Sequence, residues 1–267
     1  MEIMLLGSAL VMLVIIERIP ALRFESAAIF RRFAGTDLIY LVTGGLALST
    51  AARALAGRGA ISLGVPSLAA MMPPIALFAT SLLLYDLGAF VAHILLHRVD
   101  ALWRLHKVHH SSQTLDWLAT FRAHILEHAL RHSLSPVLLI LLGFPLTTVG
   151  LVAAMYAAWA AFNHANVKLR LRFLEPILIT PRLHRLHHVP SSSTRNFGTI
   201  FSIWDRLCGT LLTASDAPLG PLGIPDERET YPQTWAAQLI EPFRRAPEVA
   251  VAMTGDGSGT RQVAIRA

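Results

Sequence analysis

Residues 74–97 read Pro74-Ile-Ala-Leu-Phe-Ala-Thr-Ser-Leu-Leu-Leu-Tyr85-Asp86-Leu-Gly-Ala-Phe90-Val-Ala-His93-Ile-Leu-Leu-His97, and this stretch decides the fold. It is long enough to cross a hydrocarbon core, which takes about 20 residues, and Pro73-Pro74 suits a helix start. It ends in two histidines at i, i+4, which share one helix face. Asp86 lies seven residues before His93, two turns back on that face. A carboxylate inside a span is costly and points to function. Two roles stay open for it: a bond to the ring N–H of a ligand histidine, or helix packing.

Apolar stretches of similar length run from Ile3 to Ile19 and from Asp37 to Leu55. The first is read as an anchor, because Glu17, Arg18 and Pro20 follow where a signal peptide needs small residues. A fourth block, Leu134 to Phe162, is broken at Gly143-Phe144-Pro145. As one crossing it places His164 and all that follows opposite His132; as a hairpin it returns to the same face. Its arms of about 9 and 17 residues would be about 14 and 26 Å long, the first short unless the helix extends back through residues 116–132. Hydropathy does not choose between the two readings.

Of the 267 residues, 54% are apolar and 15% charged, against about 25% charged in a soluble domain. That argues against an ordinary cytosolic enzyme and, over most of the chain, excludes disorder. Cys208 is the only cysteine, which excludes an internal disulfide and cysteine-based zinc or iron–sulfur sites. The net charge of +6 reads as positive-inside topology and anionic headgroups before nucleic acid. Arg18, Arg23, Arg31 and Arg32 place the first connector in the cytoplasm, so that three crossings put everything after His97 there too. Residues 1–245 are read as one membrane domain. Residues 246–267, with Thr254-Gly-Asp-Gly-Ser-Gly-Thr260, are read as a flexible tail.

All twelve histidines lie between His93 and His188. His106-Lys-Val-His109-His110 and His184-Arg-Leu-His187-His188 each have the spacing i, i+3, i+4, which lines three imidazoles along one side of a helix. Imidazole is a good ligand for zinc, copper, iron and nickel. Eight such side chains exceed the four ligands of one tetrahedral ion, and two metals sharing the cluster is the simplest arithmetic. The histidines also favour the hairpin, because one cluster cannot be assembled from ligands on both sides of a bilayer.

The residues Asp86-x3-Phe90-x2-His93-x3-His97, Leu102-Trp-Arg-Leu-His-Lys-Val-His-His-Ser111, Arg122-x-His124-x2-Glu127, Asn163-His164-Ala-Asn166 and Pro181-Arg-Leu-His-Arg-Leu-His-His188 follow one another in order. Asn196-Phe-Gly-Thr-Ile-Phe-Ser-Ile-Trp-Asp-Arg-Leu-Cys-Gly-Thr210 completes the series, so that about 125 residues (86–210) are involved. In them the chain resembles the fatty acid hydroxylase/sterol desaturase superfamily of integral-membrane, histidine-rich di-iron oxygenases. Phe90 and Ile94 stand where that family usually has Tyr and Arg.

The resemblance implies an all-α membrane bundle, with three spans plus a helical hairpin under a cytoplasmic histidine-rich helical cap. It implies an O2-dependent lipid hydroxylase or desaturase acting on a sterol, hopanoid, fatty acyl, ether-lipid or carotenoid substrate in a bacterial inner membrane. Two iron ions would be held by His93, His97, His106, His109, His110, His184, His187 and His188, with His164 as a ninth ligand; zinc can replace iron in a purified or crystallised form. Breaking an unactivated C–H bond needs a stronger oxidant than any side chain supplies, and a metal cofactor provides it.

His124 and Glu127 are read either as part of an amphipathic interfacial helix or as further groups behind the metal ligands, and His132 as interfacial. Trp204-Asp205-Arg206 is read as a structural cap, and Trp103 and Arg104 as headgroup-level anchors. No flavin, nicotinamide or iron–sulfur signature is present, so electrons would come from a separate ferredoxin, rubredoxin or cytochrome with its reductase. Arg98, Arg104, Lys107, Arg182 and Arg185 would face that donor or anionic lipid. Two competing readings are a histidine-lined membrane metal transporter or metal-binding protein, whose ligands would lie nearer midplane, and a bis-histidine haem protein. A zinc protease is disfavoured by the absence of H-E-x-x-H.

Overall fold

A computed structural model describes residues 2–25, 31–48, 71–169, 171–213, 220–224 and 226–244, with positions 50, 51, 54, 55, 58, 59 and 67. The proposed tail, residues 246–267, lies outside the described residues. Among them the chain is helical, with one isolated antiparallel bridge between Leu178 and Phe201. The helices, numbered here in order, are α1 (Glu2–Ile16), α2 (Ala34–Tyr40, continuing as a π-helical stretch Leu41–Leu48), α3 (Pro74–Arg98), α4 (Asp100–His110), α5 (Ile125–Leu141), α6 (Leu146–His164), α7 (Pro181–His187), α8 (Ile203–Leu207) and α9 (Trp235–Ile240).

Two of these, α3 with 25 residues and α6 with 19, are long and apolar enough to cross a membrane. Apart from Arg98 at its end, the large side chains that α3 exposes are apolar (Ile75, Leu83, Val91 and Leu95), as expected of a helix facing lipid. The first expected span is shorter than the sequence pattern implied. α1 stops at Ile16, because Glu17 turns inward and accepts the backbone N–H groups of Trp117 (2.9 Å) and Asn166 (2.8 Å). In the second expected span the chain is helical from Ala34 to Leu48, and among the described residues this segment is not one of the two helices long enough to cross.

The break at Gly143-Phe144-Pro145 is a turn between two helices. Phe144 N–H returns to the Leu139 carbonyl and Gly143 N–H to Ile140, both at 3.0 Å. This paired pattern is a Schellman ending, and it requires the left-handed backbone that Gly143 adopts at φ 82°. Pro145, with its fixed φ, then leads into α6. The first arm does reach back through the polar stretch, to Ile125, so the arms are 17 and 19 residues, or about 26 and 28 Å.

The main core joins α3 (Leu77, Tyr85, Ala89), α5 (Leu139, Ile140) and α6 (Val149, Val152, Ala153, Tyr156). Close approach of α3 and α5 depends on Gly88, where a Cβ would lie 2.7 Å from Ser135 Oγ; small residues set such contacts between apolar helices. On the other side α1 packs on the end of α6 through Leu13, Ala161, Ala165 and Val167. The result places the last turn of α3 and the last residue of α6 together, beside α4 and α7.

Candidate metal centre

α3 presents His93 and His97 at its C-terminal end. Val99 is extended (φ −104°, ψ 115°), which breaks the helix for one residue. α4 then carries His106, His109 and His110 on its buried side. His164 is the last residue of α6. α7 starts with Pro181 after a Thr180 cap, and brings in His184, His187 and, at its C-terminal cap, His188.

These nine side chains fall into two sets. The ring nitrogens of His93, His97, His106, His110 and His187 lie within 4.8 Å of one another, as do those of His109, His164, His184 and His188. The sets adjoin, with the rings of His110 and His188 stacked at 4.6 Å. Eight of the nine are buried; His97 is partly open.

Five tautomers follow from the hydrogen bonds. His93 Nδ1–H donates to the Phe197 carbonyl (2.7 Å), His109 to Arg122 (3.0 Å), His164 to Ala160 (2.8 Å) and His187 to Arg195 (2.8 Å). His106 Nδ1–H donates to Glu127 Oε1 (2.8 Å). Each ring has thus committed its hydrogen at Nδ1, and its Nε2 is a bare lone pair.

Those lone pairs point at each other. The Nε2 atoms of His109 and His164 are 3.1 Å apart, and Nε2 of His93, His106 and His187 are buried without a hydrogen-bond partner. Buried acceptors normally find a donor. A cluster of convergent, unpaired imidazole nitrogens is what a metal ion satisfies, so the residues fit one. Burial strips water from the imidazolium form and holds His106, His109, His110, His184 and His188 well below the ordinary histidine range, and His187 down at about 3. The rings are therefore neutral, the form that binds metal.

The groups behind the histidines were only partly legible in the sequence. Glu127, fully buried, meets His106 and lies 3.7 Å from Arg131, consistent with the carboxylate–histidine arrangement that orients ligands. His124 is placed elsewhere: its Nδ1 accepts Leu126 N–H at the start of α5, and Nε2–H reaches the Leu239 carbonyl. It caps that helix and joins neither set of ring nitrogens.

Asp86 also differs from the expectation of a direct bond to histidine. Its oxygens accept Ile200 N–H (3.0 Å), Phe201 N–H (3.1 Å) and Trp204 Nε1–H (2.9 Å). Three donors from the loop occupy it, so it acts on the site only through that loop, which also holds the Phe197 carbonyl against His93. Asp205 closes the same loop from behind, accepting Phe197 N–H (2.9 Å), Gly198 N–H (2.7 Å) and Thr210 Oγ1–H (2.6 Å), which agrees with the cap reading. Trp103 is half-buried with its ring 5.0 Å from His97 and 5.4 Å from His110, where the sequence placed a headgroup anchor. Of the basic residues expected to face a donor, Lys107 is paired with Glu227, Arg182 with Glu175 and Arg185 with Glu25.

The fatty acid hydroxylase family model matches residues 78–210, which contain all nine histidines. An ornithine lipid hydroxylase of Rhizobium tropici is 34% identical over 166 residues, covering 61% of this chain and 49% of that protein. An alkylglycerol monooxygenase of Danio rerio is 30% identical over 164 residues (58% and 34%). A human cholesterol 25-hydroxylase is 34% identical over 139 residues (50% and 50%). The chain thus spans half or less of the length of these relatives. No solved structure matches. The order and spacing of the histidines, their convergence and these matches lead to one conclusion: through residues 78–210, the chain belongs to the fatty acid hydroxylase family.

Proposed function

We propose that the protein is a membrane-bound, O2-dependent lipid hydroxylase whose nine histidines hold two iron ions, one in each set. The observation that carries this reading is the pair of adjoining histidine sets, five and four, with five rings whose Nε2 lone pairs turn inward, those of His93, His106 and His187 without a hydrogen-bond partner. The chemistry such a pair supplies when bound is activation of dioxygen for insertion of one oxygen atom into a C–H bond; the other leaves as water, with two electrons and two protons consumed. No electron carrier motif occurs in the sequence, so the electrons come from a separate ferredoxin, rubredoxin or cytochrome and its reductase.

The chain's own residues do the rest. Backbone carbonyls of Phe197, Arg122, Ala160 and Arg195 and the Glu127 carboxylate fix ring orientation. Burial of eight histidines keeps water from the site, which suits a reaction that must not be diverted to solvent. His97 alone is partly open, beside half-buried Trp103, so the lipid chain approaches from that side. The relatives' names concern an ornithine lipid, alkylglycerols and cholesterol. Their common feature is a long apolar body with a polar end, and a membrane lipid of that form is the substrate class. Apolar α3 and α6 support a membrane-bound protein, and the basic segment after His97 supports a metal end at the cytoplasmic face of a bacterial inner membrane. Hydroxylation is favoured over desaturation because those relatives are named hydroxylases or monooxygenases.

Lipid extracts of cells with and without the gene test the activity: a product one oxygen heavier than its precursor supports it. A loss of two hydrogens would indicate desaturation, and no change in any lipid argues against both. Iron close to two per purified chain supports the metal assignment. Metal flux into liposomes with no lipid product would favour the transporter reading.

A further inference from the structure

The ring of His109 is held by the carbonyl of Arg122, and Arg122 is itself held from outside the 78–210 region. Its side chain is buried and its Nε–H donates to Asp37 Oδ1; Nη1–H donates to Gln233 Oε1 at 2.7 Å. Asp37, fully buried on α2, takes Arg31 on its other oxygen. Arg31 continues to Asp116 at 2.7 and 2.9 Å, and Asp116 Oδ1 accepts Ala119 N–H (3.0 Å), capping the short turn that delivers Arg122. Gln233 Nε2–H returns to the carbonyl of Ser111 (3.1 Å), one residue after His110. The carboxylate, the guanidinium and the amide therefore lock residue 122 to the end of α4.

We propose that Asp37 is a positioning residue for the metal centre, acting through the Arg122 peptide to fix the tautomer and orientation of His109. This rests on the metal reading above. The physical argument is that a buried arginine needs an acceptor for each N–H. Without the Asp37 charge the Arg122 guanidinium keeps Gln233 Oε1 (2.7 Å) and the more distant Ser111 Oγ (3.4 Å) but loses its ion pair, and residue 122 is no longer pinned. Moving residue 122 takes away the carbonyl that keeps the His109 hydrogen on Nδ1. If that hydrogen shifts to Nε2, the lone pair turns away from His164, His184 and His188. A buried ion pair gives little net stability over an apolar replacement, so packing alone is a poor reason for placing one here. The four-histidine set should feel the change, while the five-histidine set, three of whose rings are held by Phe197, Arg195 and Glu127, should not.

The test is Co2+ titration of metal-free, full-length protein in detergent, followed by visible absorption, which reports affinity and coordination at each site. Wild type should bind two ions per chain. Asp37→Asn should weaken one binding phase by about 10–100-fold, the usual loss for a group behind a metal ligand, and alter only that phase's absorption. Asp37→Glu should recover most of it. If Asp37→Asn does not insert, Gln233→Leu, which removes one guanidinium acceptor, should weaken the same phase less. Wild-type affinity in both phases, or equal weakening of both as a general loosening would produce, overturns the proposal, whichever of the two variants is measured. Wild type that takes up no Co2+ would remove the metal reading itself, and the proposal with it, before any variant is made.

Discussion

His109 and His164 face each other with their Nε2 atoms 3.1 Å apart, although each has given its ring hydrogen to a backbone carbonyl. Two bare lone pairs at that distance repel. A cation between the rings reverses the sign of the interaction, and the expected behaviour of the protein follows from that.

The two sets of histidines predict separable losses. His164→Ala should remove metal from the four-histidine set and leave the five-histidine set loaded, giving about one ion per chain; His93→Ala should do the reverse. Both should abolish product formation. Metal analysis of purified variants checks this, and full metal with wild-type turnover in either one would reject the assignment.

Glu127 is expected to tune His106. Glu127→Gln keeps an acceptor for the ring N–H but removes the charge that raises imidazole basicity. Activity or metal affinity should fall by about 10–100-fold. An affinity and turnover within twofold of wild type would leave Glu127 only its contact with Arg131.

Asp86→Asn should not be silent, contrary to what a mere packing residue would allow. Asparagine offers one acceptor oxygen where Asp86 serves three donors, and its NH2 group would confront an N–H. An unmet buried donor costs about 1–3 kcal/mol. The unfolding midpoint should fall, and metal should be lost first from the set containing His93, whose carbonyl partner sits on the same loop. An unchanged midpoint with full metal would show that the loop does not depend on this carboxylate.

The metal-free protein should be acid-sensitive, and the sign is fixed by burial. In the unfolded chain histidine titrates near 6.5, whereas His187 is held at about 3 and His106, His109, His110, His184 and His188 well below the ordinary value by desolvation. Below about 6.5 the unfolded chain takes up protons that the fold refuses, so stability is lost as pH falls. Each such residue contributes a slope of up to about 1.4 kcal/mol per pH unit. Unfolding midpoints of chelator-treated protein between pH 8 and 5 measure it; a midpoint constant or rising toward pH 5 would contradict it.

Local regularities carried much of this protein's description in the sequence. The length and apolarity of residues 74–97, the i, i+3, i+4 histidines on α4 and α7, and the turn at Gly143-Phe144-Pro145 are all short-range patterns, set by helix periodicity and backbone sterics. The family resemblance rests on the same short motifs. The division of nine histidines into five and four is another matter, because His109 and His110 are neighbours in sequence and belong to different sets. Only the packing of α3, α4, α6 and α7 decides which lone pairs meet. Backbone carbonyls hold four of the rings, and every residue has a carbonyl, so no residue type announces Phe197 or Arg122 in that role. Asp37 was legible only as the polar start of an apolar stretch. Its partner Arg122 lies 85 positions away, and a buried ion pair across that separation is set by tertiary packing, since nothing in local propensity selects it.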